Sequence, residues 1–225
     1  MDKRMVLLLV VSMGVSALYG YKQADYDKVI ASSEATKKAI SANNPSAADY
    51  CVLHNADLTG ADLTGANLIN SDFTNSDFTG ADLTGAILYG SNFTKATLTN
   101  ANLTGARFLF ATLTGAHLNN AVLTGAFLNN AYLEGADLTK ANLTDANLTN
   151  AHLTGAKFLF ATLTGAHLNI ADLTGANLTG AKLNNADFTG ADFTVADLTG
   201  AWCDANTVFS ETAPYKCVDG KVVKK

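Results

Sequence analysis

Ala56-Asp57-Leu58-Thr59-Gly60 is followed by Ala61-Asp62-Leu63-Thr64-Gly65 and then Ala66-Asn67-Leu68-Ile69-Asn70. This five-residue word runs without insertion over residues 51–205, which makes 31 pentads. Its third position, from Leu53 to Leu198, is Leu or Phe in 30 successive units. Its first position, from Ala56 to Ala201, is Ala except at Ser71, Ser76 and Ser91. A period of five fits neither a 3.6-residue helix nor a two-residue strand. A unit this short cannot bury its own Leu, so it must stack on copies of itself. A square coil with one pentad per side solves the problem. Positions one and three then point inward, and the other three point out. Gly or Asn at position five suits the turn, because both tolerate positive φ.

Composition agrees with this reading and excludes other classes. The 225 residues are 48% hydrophobic and 16% charged, with a net charge of −5. That is too apolar for an acidic disordered chain, and no basic face is available to grip nucleic acid phosphates. Within residues 51–205, 13 acidic residues face 5 basic ones.

The repeated Ala-Asp-Leu-Thr-Gly and Ala-Asn-Leu-Thr-Gly units resemble the pentapeptide-repeat family. The resemblance implies an all-β fold, a right-handed quadrilateral β-helix of four pentads per coil. The 31 pentads then make nearly eight coils, a rod of about 37 Å at ~4.8 Å per stacked strand. Some members of the family mimic DNA and bind type II topoisomerases. That is the alternative expectation here, and it requires a cytosolic chain. Asp57, Asp62, Asp72, Asp77 and Asp82 weaken it, because they fall on at least three faces instead of one track.

The ends differ from the array. Residues 1–20 read as a signal peptide. Asp2-Lys3-Arg4 precedes the apolar run of residues 5–15, with small residues before a cut after Ala17 or Gly20. The run falls short of the ~20 residues of a membrane span, so no span is expected after cleavage. The other reading keeps it uncleaved as an N-terminal anchor. The first Cys after it is Cys51, too far along for a lipoprotein. Residues 21–50 are expected to form a helical cap over the first coil, with Tyr26, Val29, Ile30 and Ile40 on one side. Asn43-Asn44-Pro45 ends it. Residues 206–225 form the C-terminal cap and tail. Cys203 and Cys217 pair as a disulfide if the chain is exported, and are free thiols if it stays in the cytosol. Cys51 sits at an inward position and is expected to be buried and inert.

Stepping by twenty residues sorts the outward positions into columns. One column reads Thr64, Thr84, Thr104, Thr124, Thr144, Thr164. A different face breaks the consensus with Ile69, Tyr89 and Leu109 in one column, beside Ile87, Arg107, Phe110 and Phe127. Clustered outward apolar residues mark a contact surface. The expected interface comprises Ile87, Tyr89, Leu109, Phe110 and Phe127, for a protein partner or self-association. The competing explanation is drift helped by duplication, since residues 105–119 recur at 155–169 with Lys157 in place of Arg107. The shift of 50 residues puts Leu159 and Phe160 alone on the opposite side.

No catalytic set is legible. His54, His117, His152 and His167 do not converge on one point, as a tetrahedral metal site requires. No nucleophile, base and orienting group fall together, and no phosphate-binding Gly loop occurs. The expectation is an exported, periplasmic or extracellular scaffold without enzymatic activity or cofactor.

Overall fold

The computed structural model describes residues 52–225. The expected signal peptide, the N-terminal helical cap and Cys51 lie outside the described residues. From Val52 onward the chain winds as a four-sided β-helix. Position two of each pentad pairs in parallel with the residue twenty further on, as in Asp57↔Asp77, Asp62↔Asp82, Asn67↔Ile87 and Asp72↔Asn92. Four faces follow, beginning respectively at residues 56, 61, 66 and 71.

The hydrogen bonding repeats with the same period. The N–H of position three donates to position two of the next coil, as Leu83 does to Asn102 at 2.7 Å. The N–H of position two donates back to position one of the preceding coil, as Asp82 does to Ala61 at 2.8 Å. Each corner closes when the next Ala donates to the preceding Leu or Phe carbonyl, as Ala86 does to Leu83 at 3.0 Å. The inward Ala and Leu columns are buried, and Ser71, Ser76 and Ser91 take Ala positions in the same core. Small Ala lets the corner close while Leu fills the centre. Phe73, Phe78 and Phe93 pack edge-on or tilted in the early coils with ring centroids 5.0 to 5.2 Å apart. Each such ring contributes about 2–3 kcal/mol by burial.

Every fifth position from Asn55 to Gly200 has positive φ. Gly and Asn fill most of these corners, as their tolerance of that region requires. Lys95, Phe110, Lys140, Asp145, Phe160, Ile170 and Val195 adopt it as well. Ile170 and Val195 are β-branched and strained there.

The twenty-residue register ends at Lys182↔Trp202. Strand β1 (Asp187–Phe188) pairs in parallel with β2 (Val208–Phe209), Asp187 opposite Val208, so one extra residue has entered the last coil. Strands β3 (Tyr215–Val218) and β4 (Lys221–Lys224) form an antiparallel hairpin. Its turn, Asp219-Gly220, has positive φ at both residues, the twist that tight hairpins prefer. The hairpin lies across the last coil, where Val222 N donates to Ala201 O at 3.1 Å. Cys203 and Cys217 are bonded, with Cα atoms 5.9 Å apart. Phe209 stacks on Phe188 and Tyr215 meets Phe193 edge-on, which closes the apolar core at that end.

Candidate functional site

The third face gathers the sequence-predicted residues. Asn67, Ile87, Arg107, Phe127 and Asn147 form one bridged column along it. Tyr89 and Leu109 occupy position four of the same pentads, one position beyond the inward Leu88 and Phe108. Ile87, Tyr89 and Leu109 are half-buried, whereas Phe127 is 42% exposed and Phe110 59% exposed. Ile69 adds a fourth coil at the N-terminal end. All five predicted interface residues therefore share one surface. Phe110 occupies a corner at φ 56, where bulky L residues are rare.

Arg107 lies within the apolar group, its Cζ 6.0 Å from the centroid of the Phe127 ring. Among the described residues it has no carboxylate partner. No Asp or Glu occurs between Asp82 and Glu134, a stretch whose only Lys and Arg are Lys95 and Arg107.

The duplicated Leu159-Phe160 lies on the first face, opposite the patch, with Lys157 bridged to Asp137 and Asn177 in its column. Phe160 is as exposed as Phe110, at 58%.

Aspartates elsewhere are fixed by their own pentads. Asp172 accepts from Thr174 N at 2.9 Å and from Thr154 Oγ1 at 2.9 Å. The Thr174 bonds hold its carboxyl below the usual range against a smaller opposing effect of burial. Asp197 is lowered in the same way by Thr199, which donates from both N and Oγ1. These carboxylates serve local turns, not a shared reaction centre.

The histidines reveal a pattern that the sequence reading passed over. His117 is bridged to Asp137, His152 to Asp172 and His167 to Asp187 on the following coil. His54 Nδ1 is 3.6 Å from Asp72 Oδ1. His152 also stacks on Tyr132 at 4.6 Å. The twenty-residue step of the sequence already contains the three bridged pairings. Among the described residues, no group of three or more His, Cys, Asp or Glu could hold a metal ion. No helix among them is long and apolar enough to cross a membrane.

Comparison with known proteins places this rod in a class. The pentapeptide-repeat pattern matches in eight copies, over residues 51–90, 91–130, 101–139, 116–155, 131–169 and 171–202. The chain belongs to the pentapeptide-repeat family. A trypsin-treated form of QnrB1, a plasmid-mediated fluoroquinolone resistance protein, is similar at TM-score 0.61 and 24% identity, covering 68% of this chain and 82% of that one. A second trypsin-treated form is similar at TM-score 0.55 and 24% identity, covering 69% and 91%. The pentapeptide repeat protein Rfr23 of the cyanobacterium Cyanothece 51142 is 29% identical, covering 57% and 91%, at TM-score 0.38. The likeness to QnrB1 carries the fold alone. No curated protein matches the chain.

Proposed function

We propose that this pentapeptide-repeat rod is a non-catalytic scaffold that docks a protein partner on its third face. The observation that carries this reading is the apolar surface of Ile87, Tyr89, Leu109, Phe110 and Phe127, with Phe110 59% and Phe127 42% exposed. A rigid solenoid holds such residues at fixed spacing without further ordering cost. The charged flank Asp2-Lys3-Arg4 and the apolar run of residues 5–15 support export to the periplasm or beyond. An oxidising compartment also suits the Cys203–Cys217 pair.

The topoisomerase-inhibitor reading draws less support. A DNA mimic needs carboxylates in continuous tracks, and the coils between Asp82 and Glu134 have none.

Two measurements test the scaffold reading. Phe110→Glu with Phe127→Glu is expected to abolish capture of the partner from host extract while leaving the melting curve of the rod intact. Unchanged capture by the double variant would remove the third face from the function. Fractionation with N-terminal sequencing is expected to find a mature chain that starts at Leu18 or Tyr21 outside the cytosol. A full-length cytosolic chain would overturn export and restore the inhibitor reading.

A further inference from the structure

The third face also specifies its occupant by charge and spacing, and this inference rests on the docking reading above. We propose that the patch takes an amphipathic α-helix of another protein, laid along the rod axis, with a carboxylate on its apolar side that pairs with Arg107.

Spacing selects a helix. The patch residues repeat once per coil, at ~4.8 Å. Helical residues three and four apart are about 5–6 Å apart on one side, so one apolar residue can meet each coil. Same-side residues of an extended strand recur at roughly 6.6 Å and fall out of step within two coils. From Ile69 to Phe127 the patch spans four coils, about 14 Å between the outermost ones. At 1.5 Å per residue, about ten residues of helix cover that length.

Charge selects the partner. The Arg107 guanidinium stands beside the Phe127 ring with no carboxylate partner among the described residues. Covering the patch removes water from this cation, which is costly unless the occupant brings an opposite charge. A second copy docked patch to patch does not do so, because the one carboxylate in the third-face pentads is Asp187, four coils beyond Arg107. A two-fold axis through the patch would set Arg107 against its own image. Like charges brought together in this way oppose association. A heterologous helix with one Asp or Glu among its apolar residues meets both conditions.

The experiment places a photo-crosslinking benzophenone side chain at residue 110 of the full-length chain in its host, and at residue 160 as the control. The two positions share the strained corner and nearly equal exposure, on opposite faces. Capture at 110 should exceed capture at 160 at least tenfold. The captured segment, mapped by mass spectrometry, should be an amphipathic helix with a carboxylate in its apolar stripe. Arg107→Glu should reduce capture at least tenfold, and replacing that carboxylate by Lys in the partner should restore it. Arg107→Lys, which keeps the charge, should retain capture and so separates pairing from misfolding. Equal capture at 110 and 160 would overturn the docking reading itself. Robust capture at 110 that is indifferent to Arg107→Glu would leave docking standing and overturn the partner chemistry. A crosslink to a second copy of this chain, or to a lipid, would overturn it as well.

Discussion

The Phe160 ring lies across Gly180 on the next coil, so close that a β-carbon at residue 180 would stand 2.6 Å from Phe160 Cδ1. Ile170 lies across Gly190 in the same way, its Cγ2 2.9 Å from where a β-carbon would sit. A side chain at a corner thus leans toward the C-terminus, over the corner twenty residues later. Gly60 shares the positive φ of Gly180 but has nothing within 4 Å of the same point. Gly60→Ala should therefore cost only the backbone strain, about 1 kcal/mol. Gly180→Ala should cost about 1 kcal/mol more, because the Phe160 ring must leave its place. Urea melts of both variants, repeated with Phe160→Ala, give the answer. The excess should vanish when the ring is gone. Equal costs in the parent chain would show that the ring does not rest on Gly180.

Val195 is the opposite case, a corner residue with strain and little compensation. It is β-branched, held at φ 51 and 82% exposed. Asn tolerates this region and fills it at Asn55, Asn70 and Asn100. Val195→Asn should stabilise the rod by about 1 kcal/mol, since strain is relieved and little burial is lost. Phe110→Asn should come out near neutral, because Phe110 surrenders contact with the patch as the strain is relieved. Thermal melts of the two variants compare these balances directly. A destabilised Val195→Asn would mean that Val195 makes contacts its exposure conceals.

The pentad made the fold readable, because each inward residue recurs at a fixed step and no insertion disturbs the register over residues 51–205. The same arithmetic places Ile87, Tyr89, Leu109, Phe110 and Phe127 on one face from the sequence alone. One feature escapes it, whereas the positive φ at Phe110 and Val195 follows from their place at position five despite their residue type. The step of 21 between Asp187 and Val208 arises where the word has already failed at Trp202 and Cys203. Past that point only local signals remain, and the Asp219-Gly220 turn was one that a hairpin reading could have used.

The aspartates make the rod sensitive to acid. Asp172 and Asp197 are held below the ordinary carboxyl range by Thr174 and Thr199 respectively. A carboxyl lowered in the folded chain contributes stability above its unfolded value, about 3.9. That contribution fades as pH falls through this value toward the folded one. Stability should therefore be level from neutral pH to about 5 and decline below about 4. Asn can replace both residues, because Asn92 already accepts from Thr94 N at 3.0 Å and donates its Nδ2 to Thr74 Oγ1 at 3.0 Å. Asp172 stands in that same relation to Thr174 and Thr154. Asp172→Asn with Asp197→Asn should leave neutral stability almost unchanged and flatten the acid decline. An acid limb identical to the parent's would show that other groups produce it.

The Cys203–Cys217 bond ties the hairpin to the last coil. The bond links residues 14 apart, and a loop of that size is worth about 3 kcal/mol of unfolded-chain entropy. The hairpin it ties down supplies Val222 N to Ala201 O and sets Lys221 Nζ 2.9 Å from the Trp202 ring centroid. Trp202 is the only tryptophan of the chain, so its fluorescence reports on this end alone. In the oxidised protein the fluorescence and far-ultraviolet dichroism transitions in urea should coincide. In Cys217→Ser the hairpin keeps its hydrogen bonds, the Tyr215–Phe193 contact, the buried Val222 and Lys221 over Trp202, but loses the covalent tie. The fluorescence transition should then move to lower urea, ahead of the dichroism, as the terminal coil frays before the stacked coils behind it. Loss of about 2–3 kcal/mol in the fluorescence-detected stability is the expected size. Coincident transitions at the parent midpoint would show that the hairpin holds the coil closed without the bond.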